Sequence, residues 1–124
     1  MLRLALAVFA ALHGIAHFVG FAVPWRLLQA EEMPYATTLL GGRFDVGDTG
    51  IRIVGLVWLA LGIAFVGAGV VTGLDRSGWP RLVLLVAAAS LVWSVLGWPA
   101  ARIGVAVNLG LLVVVGAGLA LGWW

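Results

Sequence analysis

Two histidines, His13 and His17, lie in an apolar stretch from Leu4 to Val23 that is otherwise nearly free of polar side chains. As an α-helix this stretch is about 30 Å long, which is enough to cross a bilayer. A spacing of four residues places both imidazoles on one face, one helical turn apart. Ionisable groups at membrane depth are costly, so they indicate a functional site by default. Such a pair can orient a ligand, hold helices together by hydrogen bonds, or supply two ligands to a metal ion.

The composition places these histidines in a membrane protein. Hydrophobic residues make up 64% of the 124 residues and charged residues only 10%, against about 25% in soluble domains. Charges and turn residues divide the chain into four apolar segments, each near the length of a membrane-spanning helix: Leu4–Val23, Ile51–Thr72, Leu82–Gly97 and Ile103–Gly122. We therefore predict an all-α fold, an integral membrane four-helix up-down bundle in a single domain. Four strands of this length could not close a barrel.

The polar residues of the spans are predicted to lie in one half of this bundle. The side of the membrane that holds the long loop, residues 24–50, is called the loop side below. At a rise of about 1.5 Å per residue inward from the loop side, His17 and Asn108 lie about 9 Å deep and His13 about 15 Å deep. By the same count Ser94 and Ser90 lie about 6 and 12 Å deep. The other half contains almost only glycine and aliphatic residues.

Two interpretations of this polar half are open. In the first it is a ligand pocket, with these candidate binding residues: His13, His17, Arg52, Trp58, Ser90, Trp93, Ser94 and Asn108. Trp58 and Trp93 would form aromatic walls, Arg52 would stand at the entrance and Gly42–Gly50 would cover the pocket as a lid. In the second, the same polar side chains only join helices by hydrogen bonds, each worth about 0.6–2 kcal/mol.

Metal or haem binding is a further alternative for the histidine pair. The residues between them, Gly14-Ile15-Ala16, contain no glutamate that could act as a base, unlike the zincin helix. No acidic residue lies within a span and the chain has no cysteine, so no thiolate site exists. We predict no metal site within the chain. If one forms, His13 and His17 would need further ligands from Asp45, Asp48 or another subunit, and haem with two axial histidines would need a dimer.

Shorter patterns predict local structure. Asp48 has the position of a helix N-cap, and Arg52, four residues on, could pair with it. Small residues spaced by four indicate close helix packing or a dimer: Ala16-x-x-x-Gly20, Gly69-x-x-x-Gly73 and Gly118-x-x-x-Gly122.

The first span, with its basic start Leu2-Arg3-Leu4 and the run Leu12-His13-Gly14-Ile15-Ala16-His17, resembles the opening of DoxX-like small bacterial membrane proteins. The stretch Gly50–Trp58 is similar to uncharacterised actinobacterial four-span proteins. The resemblance implies a four-helix up-down bundle and a quinone-linked or accessory role. Where the DoxX-like pattern has a lysine three residues after its His-Gly pair, this chain has His17.

We therefore expect a non-enzymatic protein of the cell inner (plasma) membrane that binds a quinone or a lipid, or docks a partner subunit, around the histidine pair. One alternative is a dimeric small-molecule transporter or permease subunit, against which the absence of a carboxylate within the spans counts. Another is a haem- or metal-binding subunit of a redox complex. An enzymatic version would use His17 as a proton carrier to a bound quinone and would require a redox partner. Both termini are expected in the cytoplasm. The arginines lie at the span ends and not on one polar face, so the lipid bilayer is the expected partner and nucleic acid is not.

Overall fold

Four helices form the protein, and a computed structural model describes all 124 residues. Their bounds are α1 Leu2–Ala22, α2 Gly47–Gly73, α3 Trp79–Leu96 and α4 Arg102–Ala120. Each helix is long and apolar enough to cross a membrane. The predicted all-α four-helix bundle is confirmed, and the chain is a multi-pass membrane protein. The largest difference in bounds is the start of α2, which begins at Gly47 and not at Ile51.

Helices α1 and α2 pack closely because glycines meet where they cross. A Cβ atom added to Gly14 would lie 2.7 Å from the carbonyl oxygen of Gly62, and one added to Gly62 would lie 2.8 Å from that of Gly14. Only glycine allows two helix backbones to approach this closely. Further along the crossing, Gly69 lies against Ala7 and Ala11. The small-residue face that contains Gly69 is therefore occupied within the chain.

The half of the bundle away from the long loop has an apolar interior. Its core consists of these buried side chains: Ala10, Phe65, Ala68, Trp79, Val83, Val86, Ala87, Leu111 and Val115. At the membrane surface of this half, Arg3 Nη1 donates hydrogen bonds to the carbonyl oxygens of Thr72 and Gly73, each 2.9 Å away. These carbonyls lie in the last turn of α2, where the regular bonds of the helix end. Arg3 thereby joins the start of α1 to the end of α2.

The connection between α1 and α2 is ordered and lies across the loop side. It contains two short strands, β1 Thr38–Leu39 and β2 Phe44–Asp45, which pair antiparallel with Thr38 opposite Asp45. The backbone N–H of Leu40 donates to the carbonyl oxygen of Leu96, 2.9 Å away. This bond attaches the hairpin to the end of α3.

The predicted capping role of Asp48 and its pairing with Arg52 are both wrong. Helix α2 already begins at Gly47, whose backbone N–H donates to Asp45 Oδ1 at 3.0 Å and not to Asp48. The Asp48 carboxylate instead accepts hydrogen bonds from Arg26 Nη2, at 3.4 Å, and from the Tyr35 hydroxyl. The donors of the folded loop thus take the acceptor that helical spacing alone assigned to Arg52.

Candidate functional site

A network of hydrogen-bonded polar side chains joins three helices inside the loop-side half of the bundle. Its members are His13 and His17 of α1, Ser90 and Ser94 of α3, and Asn108 of α4. The last three have no exposed surface and His17 is 4% exposed, whereas His13 is half-buried. The structure therefore brings together the five polar residues that the depth count placed near one another.

The partners of His17 determine where its proton lies. His17 Nδ1 is 2.8 Å from the main-chain carbonyl oxygen of His13. A carbonyl oxygen can only accept, so Nδ1 carries the proton and Nε2 of the neutral ring is an acceptor. Nε2 lies 2.7 Å from Ser90 Oγ, and the serine hydroxyl donates to it.

The hydrogen bonds of Asn108 determine in the same way which ring nitrogen of His13 carries the proton. The Ser90 hydroxyl has given its proton to His17, so it accepts from Asn108 Nδ2, 2.8 Å away. Nδ2 also lies 3.3 Å from Ser94 Oγ. The amide oxygen Oδ1 then faces His13 Nε2 at 3.3 Å, and His13 must donate from Nε2. The two histidines thus hold opposite tautomers.

One ring nitrogen is left without a partner in the protein. Three of the four imidazole nitrogens are engaged in the bonds described above. The fourth, His13 Nδ1, makes no hydrogen bond and is not enclosed. Because His13 carries its proton on Nε2, Nδ1 presents a lone pair and can only accept.

A cleft of about 370 Å³ lies between α1 and α4, and the half-buried His13 is one of the residues that line it. His13 and His17 line it from α1, and Ile103 and Gly104 line it from α4. The loop segment Ala30–Met33 contributes two acidic residues, Glu31 and Glu32. Most other lining residues are apolar, and no arginine is among them. The cleft is thus an apolar space with a histidine acceptor in its membrane part and two acidic residues in its loop part.

Aromatic rings hold the two imidazoles in place. The Trp58 ring lies 5.2 Å from the His17 ring, centroid to centroid, and lines the cleft. The Phe65 ring lies 4.8 Å from that of His13 and 5.1 Å from that of His17. Gly20 gives Trp58 its room, because a Cβ atom at that position would overlap the indole ring. Ring orientation is therefore set by packing as well as by hydrogen bonds.

Five of the eight candidate residues do not line the cleft: Ser90, Ser94 and Asn108 belong to the buried network, and Arg52 and Trp93 lie apart from both. Arg52 lies with its guanidinium 5.7 Å from the centre of the Trp25 ring, and its carbonyl oxygen accepts from Trp25 Nε1 at 3.1 Å. Trp93 points about 100° around α3 from Ser94, its neighbour in sequence, and its indole N–H is buried without a partner. The predictions that Arg52 stands at the pocket entrance and that Trp93 forms a wall are wrong.

The predicted lid is also wrong in its residues. Gly42–Gly50 is divided between the hairpin and the first turn of α2. None of its residues lines the cleft. The cleft is lined instead by Ala30–Met33, earlier in the same loop. Sequence reasoning missed this segment and also Ala16, an exposed α1 residue in the cleft. A signal for the α1 wall exists in the sequence, because Ala16 and Gly20 each follow a histidine by three residues and leave space beside its ring.

The geometry does not favour a metal site at the histidine pair. No group of three His, Asp or Glu side chains is close enough to hold a metal ion. For both rings to ligate one ion, His17 would have to give up its bond with Ser90 or with the His13 carbonyl oxygen. Haem ligation through Nε2 of His17 meets the same obstacle, because that nitrogen is taken by Ser90.

Comparisons with protein-family models, with curated proteins and with solved structures give no match. The DoxX-like resemblance of the first span therefore stays a prediction.

Proposed function

We propose that this protein binds a hydrophobic or amphipathic small molecule in the cleft between α1 and α4, with the polar group of that molecule at His13. The observation that carries the proposal is the cleft itself, about 370 Å³ of mainly apolar space lined by His13, the histidine with an unpartnered ring nitrogen. Ligand pockets have volumes of about 300–1,000 Å³, apolar linings and a few polar groups that orient the ligand. A quinone or a lipid dissolved in the bilayer has the required apolar body.

The candidate residues divide into two groups under this proposal. His13, His17 and Trp58 line the cleft and would contact the ligand. Ser90, Ser94 and Asn108 lie behind the imidazoles and are positioning residues. Their bonds keep the free nitrogen of His13 turned away from the bundle interior. Under this proposal the site only binds its ligand, and the protein has a non-enzymatic role in the plasma membrane.

The remaining alternatives have weaker support. A dimeric transporter, a docked partner subunit and a haem- or metal-binding redox subunit stay predictions from the sequence. Of these, the hypothesis of a haem- or metal-binding subunit requires His17 to give up its hydrogen bond from Ser90. The transporter hypothesis requires a second copy of the chain. The small-residue face that contains Gly69, a candidate dimer contact, already packs against α1.

A cleft-filling substitution tests the proposal. Ala16 is exposed and lines the cleft, so Ala16→Phe would place a ring in the ligand volume without touching the hydrogen-bonded network. Ala5 is exposed on the same helix outside the cleft, which makes Ala5→Phe a matched control. Native mass spectra of the gently extracted proteins would show the bound molecule directly.

We expect the unchanged protein and Ala5→Phe to retain a co-purifying small molecule and Ala16→Phe to lose it. Equal retention by both variants would mean that the molecule lies elsewhere on the protein. An unchanged protein that carries nothing, even after incubation with lipid extract, would contradict the proposal.

A further inference from the structure

The direction of the hydrogen bonds also specifies the chemical type of the ligand's polar group. We infer that the polar group meeting His13 is a hydrogen-bond donor, a hydroxyl on an uncharged, membrane-dissolved molecule. The inference rests on the proposed function, because it concerns the same cleft. It begins at His17, whose Nδ1–H donates to a carbonyl oxygen that cannot take any other role.

In the hydrogen bonds that follow from His17 to His13, donor and acceptor cannot exchange roles. If the Asn108 amide turned over, its oxygen would face Ser90 and draw the serine proton away from His17 Nε2. His17 would then hold a buried lone pair without a donor, a costly arrangement. If His13 instead moved its proton to Nδ1, the lone pair of Nε2 would face Asn108 Oδ1 across 3.3 Å. His13 Nδ1 therefore remains an acceptor while the network is intact.

An acceptor at this position discriminates among polar groups. A ketone, an ester or an ether presents only lone pairs to His13 Nδ1 and gains no hydrogen bond. A hydroxyl donates to it. An otherwise equal ligand should therefore bind more tightly when its oxygen carries a proton.

The charged residues of the cleft restrict the chemical class of the ligand further. Glu31 and Glu32 line its loop part and no cationic side chain lines it, so a carboxylate or phosphate head would meet like charge. An ammonium head could donate, but at His13 it would place a charge at membrane depth without an acidic partner, at high cost. A neutral hydroxyl satisfies His13 without either penalty.

Two probes that differ only in the hydroxyl proton test this inference: 4-heptylphenol and its methyl ether, 4-heptylanisole. Their dissociation constants would be measured by calorimetry on the protein in nanodiscs of one lipid composition. His13→Gln is the informative variant, because its amide nitrogen takes the place of Nε2 and keeps a donor for Asn108, while no acceptor replaces Nδ1. Comparing each probe between proteins cancels its own partitioning into lipid.

We expect His13→Gln to weaken the phenol by about 2- to 10-fold, the usual range for one neutral hydrogen bond, and to leave the ether unchanged. The ether, measured on the same variant, guards against a general effect of replacing the ring.

Equal loss of both probes in His13→Gln, or no loss of the phenol, would overturn the inference. If both probes bind equally well and Ala16→Phe blocks both, the inference fails and the proposed function stands. If Ala16→Phe affects neither probe, the proposed function itself fails.

Discussion

His17 donates its Nδ1–H to the main-chain carbonyl oxygen of His13, one turn earlier on α1 and 2.8 Å away. This bond sets the tautomer of His17 and, through Ser90 and Asn108, that of His13 as well. Two identical side chains on one helix face thereby acquire different chemistry. Both ring nitrogens of His17 are hydrogen-bonded within the bundle, whereas His13 keeps one ring nitrogen free to accept.

The opposite tautomers are a direct prediction. In protein labelled with ¹⁵N only at histidine, a long-range proton–nitrogen correlation spectrum should show the proton on Nδ1 of His17 and on Nε2 of His13. The chain has two histidines, so replacing either one by glutamine assigns the signals. Finding the same tautomer in both rings would contradict the direction of the network.

Removing the Ser90 hydroxyl should destabilise the bundle. Ser90→Ala leaves the buried Nε2 of His17 without its donor and takes one acceptor from Asn108. We expect a loss of about 1–2 kcal/mol in the free energy of unfolding, measured by thermal or denaturant unfolding in detergent. Ser77→Ala, in the exposed turn between α2 and α3, should change stability little. Equal stability of the two variants would argue against a contribution from the network.

The α1–α2 crossing should be intolerant of even one methyl group. Gly14→Ala would bring a Cβ atom to 2.7 Å from the Gly62 carbonyl oxygen, and overpacking of this kind costs about 1–3 kcal/mol. Gly110→Ala is the matched control, because open space surrounds that position on α4 and alanine is the better helix former by up to about 1 kcal/mol. Unfolding of both variants in the same detergent checks the difference. A Gly14→Ala protein as stable as Gly110→Ala would show that the helices can separate at no cost.

The loop-side surface gives a prediction on pH. The backbone N–H of Gly47 donates to Asp45 Oδ1 at 3.0 Å, and this bond, with a second from Thr37, lowers the pKa of Asp45 below its ordinary value. A lowered folded-state pKa means that Asp45 stabilises the hairpin and the start of α2 above the unfolded-state pKa. That contribution is lost as pH falls through the folded-state value. A carbonyl-carbon NMR titration should place the Asp45 midpoint below that of the same residue in a short peptide, and an equal or higher midpoint would refute the assignment.

The sequence predicted the fold because span length and apolarity alone determine where a chain can cross a bilayer. Depth counting also placed His13, His17 and Asn108 near one another, since a rise per residue is enough for that purpose. It could not predict the covering segment or the position of Arg52. Those depend on the tertiary path of residues 24–50, where Ala30–Met33 reaches the cleft and Trp25 contacts Arg52. The tautomers required hydrogen-bond partners from three helices, which no spacing within one helix contains.

The most direct test of the account combines its two parts, the cleft and the free nitrogen. Histidine-labelled protein in nanodiscs would be titrated with 4-heptylphenol, and the four ring-nitrogen signals would be followed, with 4-heptylanisole as the control. We predict that His13 Nδ1 shifts in the direction of an accepted hydrogen bond with the phenol only, while both His17 nitrogens stay in place. A phenol titration that moves no ring nitrogen, or that moves His17 and leaves His13 Nδ1 unchanged, would contradict the account.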